Sequence, residues 1–246
     1  GLQEPTFAKM AGLSRQLNAF FASWLPWYCA NHAPYQSTYT VFAGGDDFFL
    51  IGPWRSTALL ARDMAGRFKA FVAGNPDIHF SVGLTMTKPG MPVRQMGDLA
   101  ERALEASKDR SEEGQVVKNA VTCFGHTVAW AEFERLLDLA LELEEARESM
   151  ALPTGYLYGL QYLADMAEDL RRGAADSEHS PSIESALWNS RFAYRTWRML
   201  ERKRGLGPAD RRHWQAELGR TVGDAIARHG AAFKIALFTH LYRHRH

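Results

Sequence analysis

Residues 40–51 read Thr40-Val41-Phe42-Ala43-Gly44-Gly45-Asp46-Asp47-Phe48-Phe49-Leu50-Ile51, two apolar runs that meet at a glycine pair followed at once by two carboxylates. Runs rich in Val, Phe and Ile on either side of Gly-Gly predict a β-hairpin, because glycine tolerates the positive φ of a tight primed turn. The acids then sit at its tip. Successive side chains on a strand point to opposite faces, so Asp46 and Asp47 serve one site only where the turn twists the backbone, and Asp46 ranks first as a ligand. Adjacent carboxylates in an apolar segment repel each other and lose hydration, a cost that a bound divalent cation offsets. The alternative is a solvated Gly-Gly-Asp-Asp turn with no ligand.

Upstream, Phe7, Met10, Leu13, Leu17, Phe20, Phe21 and Trp24 recur at helical spacing, which predicts an amphipathic helix over 7–25 that starts at Pro5-Thr6 and stops at Pro26. Downstream, Ser56 is the N-cap candidate of a helix with Leu60, Met64, Phe68 and Phe71 on its apolar stripe, ending near Gly74-Asn75-Pro76. A strand over 78–87, a helix over 94–109, a polar loop through Ser111-Glu112-Glu113-Gly114 and a short strand over 119–124 follow. From Trp130 onward only helical patterns remain, separated by Pro153-Thr154-Gly155, by Gly173 to Pro181, and by Gly205-Leu206-Gly207-Pro208. The chain therefore reads as two domains, 1–128 mixed and 129–246 all helical, bridged by the helix over 129–149.

With 246 residues, 46% of them hydrophobic, the chain can bury one large core or two smaller ones. No run approaches the ~18 apolar residues of a membrane span, and no basic segment followed by an apolar one opens the sequence. Neither a membrane partner nor a signal peptide is indicated, and the expected compartment is cytoplasmic. Gly1 in place of methionine suggests an internal piece of a longer chain. Cys29 and Cys123 match no zinc spacing and read as reduced, buried thiols. The net charge of +1 conceals an asymmetry: residues 1–150 carry 14 Lys+Arg against 18 Asp+Glu, and residues 151–246 carry 15 against 10. The basic second half suits RNA or an acidic partner subunit, with ordinary helix solvation as the alternative.

A hairpin plus one more strand with interleaved helices is most of a ferredoxin-like palm, an α+β fold in which helices cover one face of a four-stranded sheet. One strand is missing. In that fold it precedes the first helix and lies beside the hairpin, and nothing before Phe7 supplies it.

Phe7-Ala8-Lys9-Met10-Ala11-Gly12-Leu13-Ser14-Arg15-Gln16-Leu17, then Gly-Gly-Asp-Asp with Phe-Phe-Leu-Ile-Gly-Pro-Trp, then Ser81-Val82-Gly83-Leu84, then Lys118-Asn119-Ala120-Val121-Thr122 and Phe124-Gly125 closely resemble the large subunit of type III CRISPR effector complexes. The resemblance runs from the first helix of the second palm domain into the helical C-terminal domain. It implies a nucleotidyltransferase that converts ATP into cyclic oligoadenylates when the assembled complex captures target RNA. Asp46 and Asp47 match the family's metal-binding acids, for Mg2+ or Mn2+. Gly44 and Gly45 would let the nucleotide approach the backbone. By analogy with related cyclases Lys108 contacts a triphosphate, the alternative being a solvated helix-end lysine. Ser14 and Ser81 lie in matching blocks and either line the ATP pocket or pack.

The full subunit usually begins with a histidine-aspartate nuclease domain and a first palm, and its second palm opens with a strand bearing a further metal-binding aspartate. None of these precedes Phe7, so the segment as written is expected to be an incomplete enzyme, since hard divalent ions seek about six oxygens. A diguanylate cyclase-like enzyme is one alternative, but its turn normally reads Gly-Gly-Asp/Glu-Glu-Phe where this chain has Asp47. A catalytically silent scaffold that contacts guide and target RNA or the small helical subunits is another. Arg191, Arg195, Arg198 and Arg202 at helical spacing, with Trp188, Phe192, Tyr194 and Trp197 interleaved, suit it, against an ordinary solvated stripe. His240 and His244 share a helix face, but a frayed basic tail is the expectation there, and His32, His79 and His126 read as structural.

Overall fold

The structure is a computed structural model that describes residues 6–112 and 115–243. It divides into two compact units, Gly1–Trp130 and Ala131–His246. The first unit is the α+β palm. Thr6 caps its first helix, the side-chain oxygen accepting the Lys9 amide at 3.3 Å; Pro5, the other half of the expected start, lies outside the described residues. Helix α1 (Phe7–Asn18) does not stop at Pro26. It passes through a π turn, Ala19–Trp24, into α2 (Leu25–Asn31), which contains that proline. Proline lacks an amide hydrogen and crowds the carbonyl one turn back, but the widened π turn, with the Leu25 amide bonded to the Phe20 carbonyl, relieves both conflicts.

The π turn also aims the core. Phe20 and Phe21 are buried, whereas no residue of α1 is; Phe7 is 89% exposed and Met10 57%. The stripe expected over 7–25 therefore packs only from Leu17 onward. Strands β1 (Tyr39–Gly44) and β2 (Asp47–Ile51) form the expected hairpin, with Val41 bulged between the pairs Thr40↔Leu50 and Phe42↔Phe49. Phe48 and Leu50 lean on the aromatic core with Phe68 of α3 (Trp54–Phe71) and with Phe80. Helix α3 starts two residues before Ser56, and Pro53 holds the position expected of that serine.

The expected strand over 78–87 shortens to β3 (Val82–Leu84). Helix α4 (Val93–Lys108) follows, then a two-rung hairpin of β4 (Ser111–Glu112) and β5 (Gln115–Val116) where a loop was expected; Glu113 and Gly114 lie outside the described residues. Strand β6 (Ala120–Cys123) pairs parallel with β3 and antiparallel with β7 (His126–Ala129), a strand the sequence reading missed. Its two-residue loop, Phe124-Gly125, has φ of +51° and +78°, the double positive φ of a I′ turn, with the Phe124 ring against Trp54 at 4.5 Å. Among the described residues the hairpin and the β3-β6-β7 sheet share no ladder, so β2 and β3 are both terminal strands. Gly83 lets α4 lie on β3: a Cβ there would stand 2.3 Å from the Leu104 nitrogen and 2.6 Å from the Ala100 carbonyl oxygen.

The second unit is all helical: α5 (Trp130–Met150), α6 (Thr154–Ala175), α7 (Trp188–Glu201), α8 (Pro208–Leu218), a π turn Gly219–Gly223, α9 (Asp224–His229) and α10 (Phe233–Arg243). Leu136, Leu143, Leu157, Leu160, Leu200, Leu218 and Phe233 fill its core. His240 is buried in α10 rather than frayed, and His244 lies outside the described residues. Both cysteines are free and buried, as expected, and burial raises both thiol pKa values. Among the described residues no helix is long and apolar enough to cross a membrane. The polar stretch after α6 is clipped to that helix by Asp169, which accepts the Ser185 hydroxyl at 2.7 Å, the Ser182 amide at 2.8 Å and His179 Nε2 at 2.7 Å.

Gly83→Ala pushes a methyl into helix backbone that cannot rotate away, and should cost about 3 kcal/mol by denaturant unfolding; a loss under about 1 kcal/mol would mean that α4 shifts freely. The Ser185 hydroxyl, with Ser182 and His179, holds the Asp169 carboxyl below its usual range. A depressed folded-state pKa gives stability that is present above the unfolded value and lost as pH falls through the folded one. Asp169→Ala should therefore be less stable than the parent at neutral pH, with the gap closing as pH drops below the ordinary carboxylate range.

Candidate functional site

The site is built on the hairpin tip. Gly44 and Asp47 form the last pair of the ladder, leaving Gly45-Asp46 as a two-residue loop. Gly45 has φ of +65° and Asp46 has none of the positive-φ character, the pattern of a II′ turn with glycine first. A Cβ on Gly45 would meet nothing within 4 Å, so the face above the turn is open. Asp46 and Asp47 are both exposed, and neither has a hydrogen-bond or ion-pair partner among the described residues. The bulge at Val41 adds local twist to the strand that enters the turn.

Two supports hold this tip from below. The Phe48 ring, next after Asp47, stacks on Phe21 at 5.2 Å and 19°. The Gly45 amide donates to Asn18 Oδ1 at 2.9 Å. Asn18 was not singled out from the sequence. Its only signal there is a polar side chain inside the apolar run Leu17-Asn18-Ala19-Phe20-Phe21, four residues after Ser14. That spacing puts Ser14 and Asn18 on one face of α1, so Ser14, which is exposed, lies one turn from the residue that touches the hairpin.

The other expected residues take different places. Ser81 ties β3 to β6: its hydroxyl oxygen accepts the Asn119 amide at 3.1 Å and the Ala120 amide at 3.4 Å. Lys108 is the half-buried last residue of α4 and has no polar partner among the described residues. Two hard carboxylate oxygen donors without competing partners suit Mg2+ or Mn2+, which characteristically take one or two protein carboxylates and complete their shell with water and substrate phosphates. Among the described residues no group of three His, Cys, Asp or Glu side chains converges to hold a metal.

Arg195 and Arg198 of α7, with Arg202 just after it, line a cavity of about 540 Å3 in the helical unit together with Tyr156, Tyr194 and Lys203; Arg191 is not part of its lining. Arg195 is spent on the Gly155 and Tyr156 carbonyls, and Lys203 on those of Met150 and Ala151. Desolvation lowers the Lys203 pKa. Arg198 donates to the Tyr194 hydroxyl at 2.9 Å, and Arg191 reaches Glu184 at 3.6 Å. Arg202 is exposed, without a polar partner among the described residues.

Comparison with known proteins bears on the hairpin unit directly: residues 1–122 match the family Cas10/Cmr2, second palm domain. Residues 1–122 belong to the Cas10/Cmr2 family. It is 32% identical over 157 residues to the CRISPR system single-strand-specific deoxyribonuclease Cas10/Csm1 (subtype III-A) of Methanocaldococcus jannaschii, covering 58% of this chain and 19% of that protein. It is 31% identical over 172 residues to the protein of the same description from Enterococcus italicus, covering 69% of this chain and 21% of that protein. The chain thus spans about a fifth of these curated relatives. The crystal structure of Csm1 in T. onnurineus superposes with a TM-score of 0.55 at 21% identity over 94% of this chain and 34% of that one, a likeness of fold.

In this Cas10/Cmr2 palm the two glycines of the turn are not equivalent. Alanine at Gly45 is forced to a left-handed φ, and should destabilise the unit by about 1–2 kcal/mol. Alanine at Gly44 meets only the Phe42 ring, at 3.4 Å, and should cost less than half as much. Chemical denaturation of the two variants gives the ranking, and equal losses would remove the II′ assignment.

Proposed function

We propose that this chain supplies the palm of an RNA-activated cyclic oligoadenylate synthase in a type III CRISPR effector complex. The observation that carries the proposal is the pair of unpartnered carboxylates, Asp46 and Asp47, on an open glycine turn in a Cas10/Cmr2 second palm. In this reading a ribose 3′ hydroxyl gives up its proton to solvent water, its oxygen bonds to the α-phosphorus of a second ATP, that ATP's α–β phosphoanhydride bond breaks, and pyrophosphate leaves. The transfer is of the two-metal type: two Mg2+ or Mn2+ ions, when bound, would supply the positive charge that lowers the pKa of the hydroxyl and offsets charge on the phosphates. Asp46 and Asp47 would hold them. The open face over Gly45 admits the nucleotide, Lys108 has a free ammonium for a triphosphate, and Ser14 lies one helical turn from Asn18, which contacts Gly45. Ser81 contributes through the β3–β6 register.

The relatives are named as single-strand-specific deoxyribonucleases of subtype III-A systems, and those activities belong to proteins of which this chain is about a fifth. We further propose that the chain works in an assembly with other effector subunits, including small helical ones, and with guide and target RNA; kinship with Cas10/Csm1 supports the presence of other subunits. The exposed Arg202 beside Arg198 and Tyr194 supports a second role, in which the helical unit contacts RNA phosphates or a partner subunit.

The test uses the native full-length protein in its assembled complex, given target RNA with ATP or GTP in separate arms, with products read by mass spectrometry. Cyclic oligoadenylate is expected from ATP, and Asp46→Asn or Asp47→Asn should lower its rate by about 100-fold or more. A product formed only from GTP would favour the diguanylate cyclase-like reading. RNA-dependent assembly without any nucleotide product would leave the silent scaffold.

A further inference from the structure

The amide of Gly45 belongs to a loop residue that the β1–β2 ladder does not pair, because the ladder closes at Gly44↔Asp47. Its acceptor comes from 27 residues away, the Asn18 side chain at 2.9 Å. Asn18 is the last residue of α1, still helical at φ −59° and ψ −40°, and the π turn starts at the next residue. Three residues on, Phe21 stacks under Phe48. One short piece of helix therefore grips the hairpin twice, at the turn and just beyond the two carboxylates. The carboxamide has a single acceptor atom, so accepting an N–H fixes its orientation and directs its NH2 group away from Gly45. Fixing the Gly45 amide fixes the peptide plane that enters the loop. The next rotatable bonds along the chain carry Asp46. A neutral acceptor does this without adding negative charge beside two carboxylates that already repel each other.

We propose that Asn18 is a positioning residue: its carboxamide sets the geometry of the acidic turn and thereby the divalent-cation affinity of Asp46 and Asp47. The metal part rests on the reading of the turn given above. The positioning part does not. Asn18 is exposed, so its replacement leaves no cavity.

The experiment compares Asn18→Leu, which has similar bulk and no acceptor, with Asn18→Asp, which keeps an acceptor oxygen, in the native full-length protein. Hydrogen–deuterium exchange of the Gly45 amide is followed at single-residue resolution, and Mn2+ binding is followed by electron paramagnetic resonance. Asn18→Leu should speed exchange and weaken Mn2+ about tenfold each, the usual scale for losing a group that orients a ligand. Asn18→Asp should retain the protection. Unchanged exchange in Asn18→Leu, or exchange in Asn18→Asp as fast as in Asn18→Leu, overturns the positioning role. Absence of Mn2+ binding by the parent protein overturns the metal part, while the exchange contrast still decides what Asn18 does.

Discussion

The first unit depends on where the ring of Phe21 goes. It stacks on Phe48 at 5.2 Å and on Phe68 at 5.6 Å, and meets the edges of Phe20 at 5.1 Å and Phe80 at 5.9 Å. A single side chain thus joins the first helix, the hairpin, α3 and the residues that lead into β3. Aromatic pairs of this kind contribute about 0.5–1.5 kcal/mol each beyond the area they bury. Phe21 and its neighbour Phe20 both turn inward because the π turn adds a residue to the helix at that point, and the same turn admits Pro26. The seat of the acidic turn is a consequence of helix geometry one layer below it.

The sheet is interrupted where the palm would be widest. Strands β2 and β3 each end a sheet, and α4 lies against β3 through Gly83. The outer strand of the hairpin exposes Tyr39 at 69% and Phe42 at 55%, and α1 exposes Phe7 and Met10. Terminal strands leave backbone donors and acceptors that water or another strand must satisfy. A strand seated between β2 and β3 would join the two ladders into one six-stranded sheet. That is the position the family resemblance gives to its additional aspartate.

What was legible in the sequence was local. Gly44-Gly45-Asp46-Asp47 fixed the hairpin because turn chemistry needs only neighbouring residues, and the helices after Trp130 followed from their own periodicity. Pro26 misled because its exclusion from helices assumes α geometry, and a π turn keeps the apolar spacing readable across it. His126-Thr127-Val128-Ala129 carried no clear alternation, and its turn places a phenylalanine at positive φ, so β7 was invisible. Ser81 was visible as part of a block, but its hydroxyl serves a contact 38 residues away. Asn18 likewise acts across 27 residues, a distance over which one sequence holds no pairing information.

The same locality explains why the acidic turn persists without burdening the fold. Two exposed carboxylates about 6 Å apart in water repel by only about 0.7 kcal/mol, a small term beside the aromatic packing beneath them. Burial would multiply that repulsion and demand partners, as it does for Glu132, which His229 hydrogen-bonds at 2.8 Å inside the helical unit and whose pKa it lowers. Asp46 and Asp47 instead remain in solvent, oriented by a neutral amide and an aromatic stack that carry no charge of their own. The turn is held in shape by these contacts alone, so under the proposed reading a cation's binding energy would not be consumed in ordering it. Preorganisation of that kind requires rigid support below and open space above, and the hairpin tip has both.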